Sequence, residues 1–208
     1  MTMESTRKSF RNVASAFLTI LALTVVSQAQ TPAISATINI KNFGQMDERF
    51  YRGAQPKKLE DYKALAAIGV KTVIDLTDDP KEYAQSMVES VGMKYVHIPM
   101  IAKKYPTEVA IANFLKTVEN PETGKFYLHC AGGRHRTGAM GAVYRYKFYN
   151  WNFDQVYKEM KKFDFYTSWG HGAFKDFVKD YYDQMQTTTT PTAAPATVES
   201  TVRTQEKQ

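Results

Sequence analysis

Between residues 30 and 186, short apolar runs alternate with longer stretches at helical spacing. That pattern predicts an α/β domain with a mostly parallel central sheet flanked by helices. Pro56 stands at a helix start, and Leu59, Tyr62, Leu65 and Ala66 recur at helical spacing before Gly69, so a helix is expected over about 57–68. Residues 71–76 (KTVIDL) read as a buried strand, 77–80 as a turn, and 81–91 as a helix ended by Gly92. Residues 95–98 form the next strand. Thr107 caps a helix in which Ile111, Phe114, Leu115 and Val118 share one face, closed by Asn120-Pro121. Residues 126–128 are a short strand running straight into Cys130, after which Met140, Val143, Tyr144 and Phe148 resume helical spacing. A last amphipathic helix carries Phe174, Phe177, Val178, Tyr181, Tyr182 and Met185, an aromatic stripe that reads as core packing. Trp169, Gly170 and His171 read as a turn before it.

The two ends have a different character. Residues 1–29 place Arg7, Lys8 and Arg11 ahead of an apolar run over 13–26, then Ser27-Gln28-Ala29, the layout of a secretory signal cleaved before Gln30. The run is short for a hydrocarbon layer of about 30 Å, which takes about 20 residues, so no stable membrane anchor is expected after cleavage. Residues 187–208 are rich in Thr, Ala and Pro without apolar periodicity and read as a disordered tail. The expected organisation is a signal at 1–29, a catalytic domain at 30–186 and a tail at 187–208, in an exported bacterial protein of the periplasm or the medium.

Charge adds little. The balance of 27 basic and 21 acidic residues gives +6; losing three basic residues and Glu4 with the signal leaves +4. An anionic partner suits that charge, which is too mild to call for nucleic acid. One cysteine rules out an internal disulfide and, in an oxidising compartment, reads as a thiol kept for use.

That thiol sits in His129–Gly138, HCAGGRHRTG. Gly132 and Gly133 let the backbone turn tightly, and the N–H groups of 131–136 together with a helix N-terminus make an anion cradle. Ala131, Gly132, Gly133, Arg134, His135 and Arg136 are the expected phosphate-binding residues. Arg136, six positions after Cys130, returns a planar fork that grips two phosphate oxygens. The same groups favour the thiolate of Cys130, which attacks phosphorus and forms a phosphocysteine that water then hydrolyses. The Thr137 hydroxyl is placed to hydrogen-bond the departing sulfur. This chemistry requires no metal and no cofactor.

HCAGGRHRTG resembles the His-Cys-x5-Arg-Ser/Thr-Gly signature of the cysteine-dependent protein tyrosine and dual-specificity phosphatases. The resemblance extends over about 50–182, taking in Tyr51-Arg52-Gly53-Ala54-Gln55-Pro56, the VIDL strand and the HIPM segment. It implies the fold of that superfamily and a phosphatase acting on phosphotyrosine, phosphoserine or phosphothreonine, or on inositol phosphates. Gly133-Arg134-His135-Arg136 is similar to the Gly-Lys-His-Arg loop of plant and fungal atypical dual-specificity phosphatases, which act on inositol polyphosphates and pyrophosphates as well as phosphotyrosine. The expected partner is therefore a phosphorylated protein or an inositol phosphate.

One departure stands out. The superfamily draws an Asp general acid from the loop after a strand like His97-Ile98-Pro99-Met100, but here 101–106 is IAKKYP and the Asp position falls on Ala102. Asp78 and Asp79, at the end of the preceding parallel strand, and Glu108, in the next helix, are the candidate acids; otherwise the leaving group is one that needs little protonation, such as a phosphoanhydride. Lys103 and Lys104 are candidate substrate contacts beside Arg134 and His135. Arg52 is expected in a structural ion pair, His129 below the cysteine as a structural residue, and His97 packed or hydrogen-bonded within its strand. A pseudophosphatase that binds without turnover and a rhodanese-type sulfurtransferase are the rival functions; Arg136-Thr137-Gly138 speaks against the second.

Overall fold

The computed structural model describes residues 38–189; the expected signal and the chain beyond 189 lie outside the described residues. Five strands, β1 (Gly44–Gln45), β2 (Phe50–Ala54), β3 (Val70–Asp75), β4 (Lys94–His97) and β5 (Lys125–Cys130), form one sheet in the order β1-β2-β5-β3-β4. Only the β1–β2 pair is antiparallel; β2–β5, β3–β5 and β3–β4 are parallel. The helices are α1 (Leu59–Ala67), α2 (Glu82–Ser90), α3 (Glu108–Glu119), α4 (His135–Tyr149), α5 (Phe153–Lys162) and α6 (Gly172–Thr189).

Parallel sheets are covered on both faces because their crossovers carry helices, and the strand residues divide accordingly. Phe50, Ile74, Phe126 and Leu128 face α3 to α6, packing with Phe114, Met140, Val143, Met160 and Phe174. Tyr51, Val73 and Tyr127 face α1 and α2, against Tyr62, Leu65 and Val88. β5, in the middle of the parallel strands, is buried from Phe126 to Cys130. The register pairs Cys130 with Ala54 and His129 with Asp75, so the carboxyl ends of β2, β3 and β5 open on one edge, where open α/β sheets place their ligands. α4 leaves that edge with every residue from His135 to Tyr146 buried.

Local chemistry explains the elements that the pattern predicts. The Asp61 carboxylate accepts from the Lys57 and Lys58 N–H groups at the start of α1. The Thr107 hydroxyl accepts from Ala110 N at the start of α3, as an N-cap does. Three features differ from expectation. β2 is a fully buried strand that contains Arg52 and Gly53, and these two residues break the apolar run that marks such a strand. α5 has no counterpart among the expected elements, although Asn152 and Gln155 form a capping box at its start. The Thr-rich segment begins inside α6, where the Thr187 and Thr188 hydroxyls bond back to Gln184 O and Met185 O, so the helix runs three residues past the expected domain end.

Candidate active site

Cys130 ends β5, residues 131–134 turn, and α4 begins at His135. Gly133 sits at φ +67, and a Cβ there would overlap the Gly53 carbonyl group and the Ala54 nitrogen; only glycine fits a left-handed residue so close to a neighbouring strand. The loop carbonyls are tied away from its interior. Ala131 O accepts from Gln55 N at 3.4 Å, Gly132 O from Asn42 Nδ2 at 2.8 Å, and Gly133 O from Arg52 Nη2 at 2.6 Å. Fixing the carbonyls fixes the opposite ends of the same peptides, leaving their N–H groups to converge beside the α4 N-terminus. Arg52 therefore braces the loop. In place of the expected ion pair its guanidinium meets this carbonyl and lies 4.2 Å from the centre of the Phe163 ring. Burial pulls its pKa down to about 10, still high enough to keep its charge at neutral pH.

Burial pushes the Cys130 thiol up, yet its pKa is lowered on balance. The Thr137 hydroxyl and amide, the Arg136 charge and the Gly133 N–H favour the thiolate more than burial opposes it. The Thr137 hydroxyl is buried and acts on the Cys130 sulfur, whose thiolate it favours. Arg136 donates through Nη1 to Met100 O at 2.9 Å and to Asp78 Oδ1 at 2.6 Å, so its guanidinium is aimed before any phosphate arrives.

The three candidate acids go to three different places. Asp78 reaches the site as the partner of Arg136, which holds its carboxyl below the usual carboxylate range; a group so held is ionised at neutral pH. Asp79 is 89% exposed and pairs with Lys81 at 3.4 Å. Glu108 lines a separate groove of about 440 Å³ with Tyr105, Ile111 and Phe177. Of the two lysines, Lys104 lies in a depression with Pro99, Ile101 and Tyr105. Lys103, at φ +63, runs its side chain past Gly170 and adds positive charge beside His171.

Cys130 opens into a cavity of about 170 Å³ that Ala102, Gly132, Arg134 and Arg136 share with His135 and His171. The two imidazoles stack with centres 3.7 Å apart and planes 8° from parallel, and His135 Nε2 is 3.0 Å from Tyr166 O. Burial, with the neighbouring His171, depresses the His135 pKa to about 4. Burial first, then Lys103, Arg134 and Arg136, depress that of His171. Tyr166, His171 and Phe174 were absent from the expected site: the sequence marks His171 only as part of a turn, and 35 positions separate it from Arg136. Arg134 pairs loosely with Asp164 at 3.7 Å. Beneath the loop, His129 is fully buried with its Nδ1 3.7 Å from Asp75 Oδ1. Asp75 already accepts from Thr77 N, Thr77 Oγ1 and the Tyr95 hydroxyl, and burial keeps His129 neutral by lowering its pKa. His97 Nε2 lies 2.7 Å from Thr77 O.

A thiolate at the end of a central parallel strand, an N–H cradle, an aimed guanidinium and a following helix define a cysteine-dependent phosphatase of the tyrosine/dual-specificity class. Residues 20–178 match the family described as DSP-PTPase phosphatase fused to NAD+ kinase, and the chain belongs to this family of phosphatases. It is 31% identical over 127 residues to a probable tyrosine-protein phosphatase, DG1060, of Dictyostelium discoideum, covering 59% of this chain and 75% of that protein. It is 27% identical over 133 residues to the inositol diphosphatase SIW14 of Saccharomyces cerevisiae, covering 60% of this chain and 46% of that protein. The solved catalytic core of SIW14, described as a PP-IP phosphatase in complex with citrate, superposes with a TM-score of 0.57 at 20% identity, covering 72% of this chain and 93% of that one; this likeness speaks for the fold.

Proposed function

We propose that the enzyme hydrolyses its substrate through a phosphocysteine at Cys130, and that it favours a small polyphosphorylated substrate of the inositol polyphosphate or pyrophosphate kind. The observation that carries the substrate class is the positive charge gathered at the cavity, with no carboxylate in its lining to repel a second phosphate. Asp78 is paired with Arg136 and Asp164 with Arg134, so neither stands in the cavity as a free acid. A leaving phosphate is a far weaker base than an alkoxide and needs correspondingly little help from an acid. Arg134 at the cavity and Lys103 at its edge add the positive charge that several phosphates favour. The inositol diphosphatase relative points the same way.

In the reaction, the Cys130 thiolate attacks phosphorus while the loop N–H groups and Arg136 take up the charge growing on the equatorial oxygens. The phosphate then leaves sulfur as water attacks, with the Thr137 hydroxyl stabilising the returning thiolate. The deciding experiment is phosphate release by the purified protein from an inositol pyrophosphate, inositol hexakisphosphate and a phosphotyrosine peptide. Faster turnover of the inositol compounds is expected; preference for the peptide would overturn the substrate class. Cys130→Ser should abolish turnover and leave the fold unchanged by circular dichroism, and measurable turnover in that variant would remove the phosphocysteine. We further propose that residues 1–29 direct export, on the layout of Arg7, Lys8, Arg11 and the apolar run after them. N-terminal sequencing of the exported protein should begin at Gln30, and finding the chain intact and inside the cell would refute it.

A further inference from the structure

We infer that His171 is a catalytic proton donor to the leaving oxygen, filling from another loop the place that Ala102 leaves without a carboxylate. The inference rests on the phosphocysteine reading and extends it to the proton.

The geometry carries the assignment. His171 lies on the wall of the same small cavity as Cys130 and Ala102, so a substrate whose phosphate fills the loop brings its leaving group against that wall. The side chains lining that cavity are the imidazoles of His135 and His171, the cysteine, two arginines, a tyrosine and apolar groups, and of these imidazole is the group that most often serves as a general acid. His135 is committed elsewhere, because its Nε2 bonds to Tyr166 O and it is the first residue of α4. His171 makes no comparable bond: its Nδ1 is buried without a partner, and its ring is held in orientation by the stack on His135 and by an edge contact with Tyr166, 5.1 Å between centres. A ring held by packing leaves Nδ1 without a hydrogen-bond partner of its own.

The surroundings also time the proton. The charged and titratable groups facing His171 are Lys103 from the loop after β4, Arg134 and Arg136 from the phosphate loop and α4, His135 beside it, and Tyr166 from its own turn. In the empty site the three cations and burial keep the imidazole neutral. A bound phosphate dianion neutralises those same cations and adds negative charge beside the ring, and both effects favour imidazolium. Substrate therefore loads the donor. As the Cys130 sulfur bonds to phosphorus and the bridging P–O bond breaks, His171 gives its proton to the departing oxygen. In the second step the neutral ring takes a proton from the attacking water as the S–P bond breaks, and the thiolate is restored. An imidazolium donor suits a leaving group of modest basicity.

The test compares the purified protein with His171→Asn and His171→Phe on phenyl phosphate, a poor leaving group, and p-nitrophenyl phosphate, a good one. Both variants should lose about 10²-fold in kcat on phenyl phosphate and far less on p-nitrophenyl phosphate, the signature of a lost acid. The fall of kcat on the alkaline side should vanish with the imidazole. His171→Phe keeps a ring against His135, so wild-type turnover in that variant would show a packing role and overturn the inference. Equal losses on the two substrates would overturn it as well. Trapping of the phosphorylated intermediate from wild type by acid quench tests the parent reading separately: its absence sinks the phosphocysteine, whereas its presence with no leaving-group dependence sinks only His171.

Discussion

Replacing Asp78 with Asn separates a proton donor from a residue that aims the arginine. Asp78 Oδ1 lies 2.6 Å from Arg136 Nη1, and its side chain is 42% exposed. Opposite charges roughly 4 Å apart attract by about 4 kcal/mol at an effective dielectric of about 20, but by about 1 kcal/mol in water. With that much exposure the lower figure governs, in line with the ~0–1 kcal/mol of exposed pairs. Such a contact orients the guanidinium and yields when a dianion arrives. Asp78→Asn retains an acceptor for Arg136 and removes one negative charge from the phosphate's surroundings. Phosphate binding should tighten by up to about 1 kcal/mol, lowering KM up to about fivefold. The kcat should stay within about threefold, since Met100 O still holds the same nitrogen. The assay is steady-state turnover of phenyl phosphate and p-nitrophenyl phosphate at neutral pH. A loss of about 10²-fold or more in kcat confined to phenyl phosphate would refute the reasoning, because that is what removal of a general acid produces.

Two further substitutions test the loop itself. Thr137→Val removes the hydroxyl that, after the opposing effect of burial, contributes most to lowering the Cys130 pKa. The pH profile of iodoacetamide alkylation should move to higher pH and phosphocysteine breakdown should slow about tenfold or more, as expected for losing a hydrogen bond to a charged group; an unmoved profile would remove Thr137 from the site. Gly133→Ala forces a Cβ into the Gly53 carbonyl at φ +67, so the unfolding midpoint in urea should fall by the equivalent of about 2 kcal/mol or more with phosphate binding lost. A stable, phosphate-binding variant would show that the loop has another conformation available.

The sequence discloses the sheet where a strand has an apolar centre, as Val73-Ile74 in β3 and Phe126 to Leu128 in β5, and conceals it where function is built into the strand. β2 is buried from Phe50 to Ala54, yet Arg52 and Gly53 interrupt its pattern because one must reach the Gly133 carbonyl and a side chain on the other would run into the Tyr127 hydroxyl and the Phe43 backbone. Such a strand reads as irregular until the partner loop is in view. Most helices are easier to see, since Asp61 and Thr107 satisfy the first N–H groups of α1 and α3 within a few residues, and local interactions leave local marks.

The site divides along the same line. Cys130, Gly133, Arg136 and Thr137 act through one continuous loop, so their spacing alone describes the cradle. The proton is a different matter, because the sheet gathers residues that share no spacing. Asp78 and Asp79 are neighbours in sequence, yet one meets Arg136 and the other points to solvent with Lys81. A carboxylate that pairs with the phosphate-gripping arginine is held ionised, and for that reason it is poorly suited to donate. A group suited to donate must sit near those cations without bonding to them, so that its own charge state follows theirs as the phosphate enters. His171 meets this condition from a turn between α5 and α6 whose sequence, Trp169-Gly170-His171, carries no sign of it.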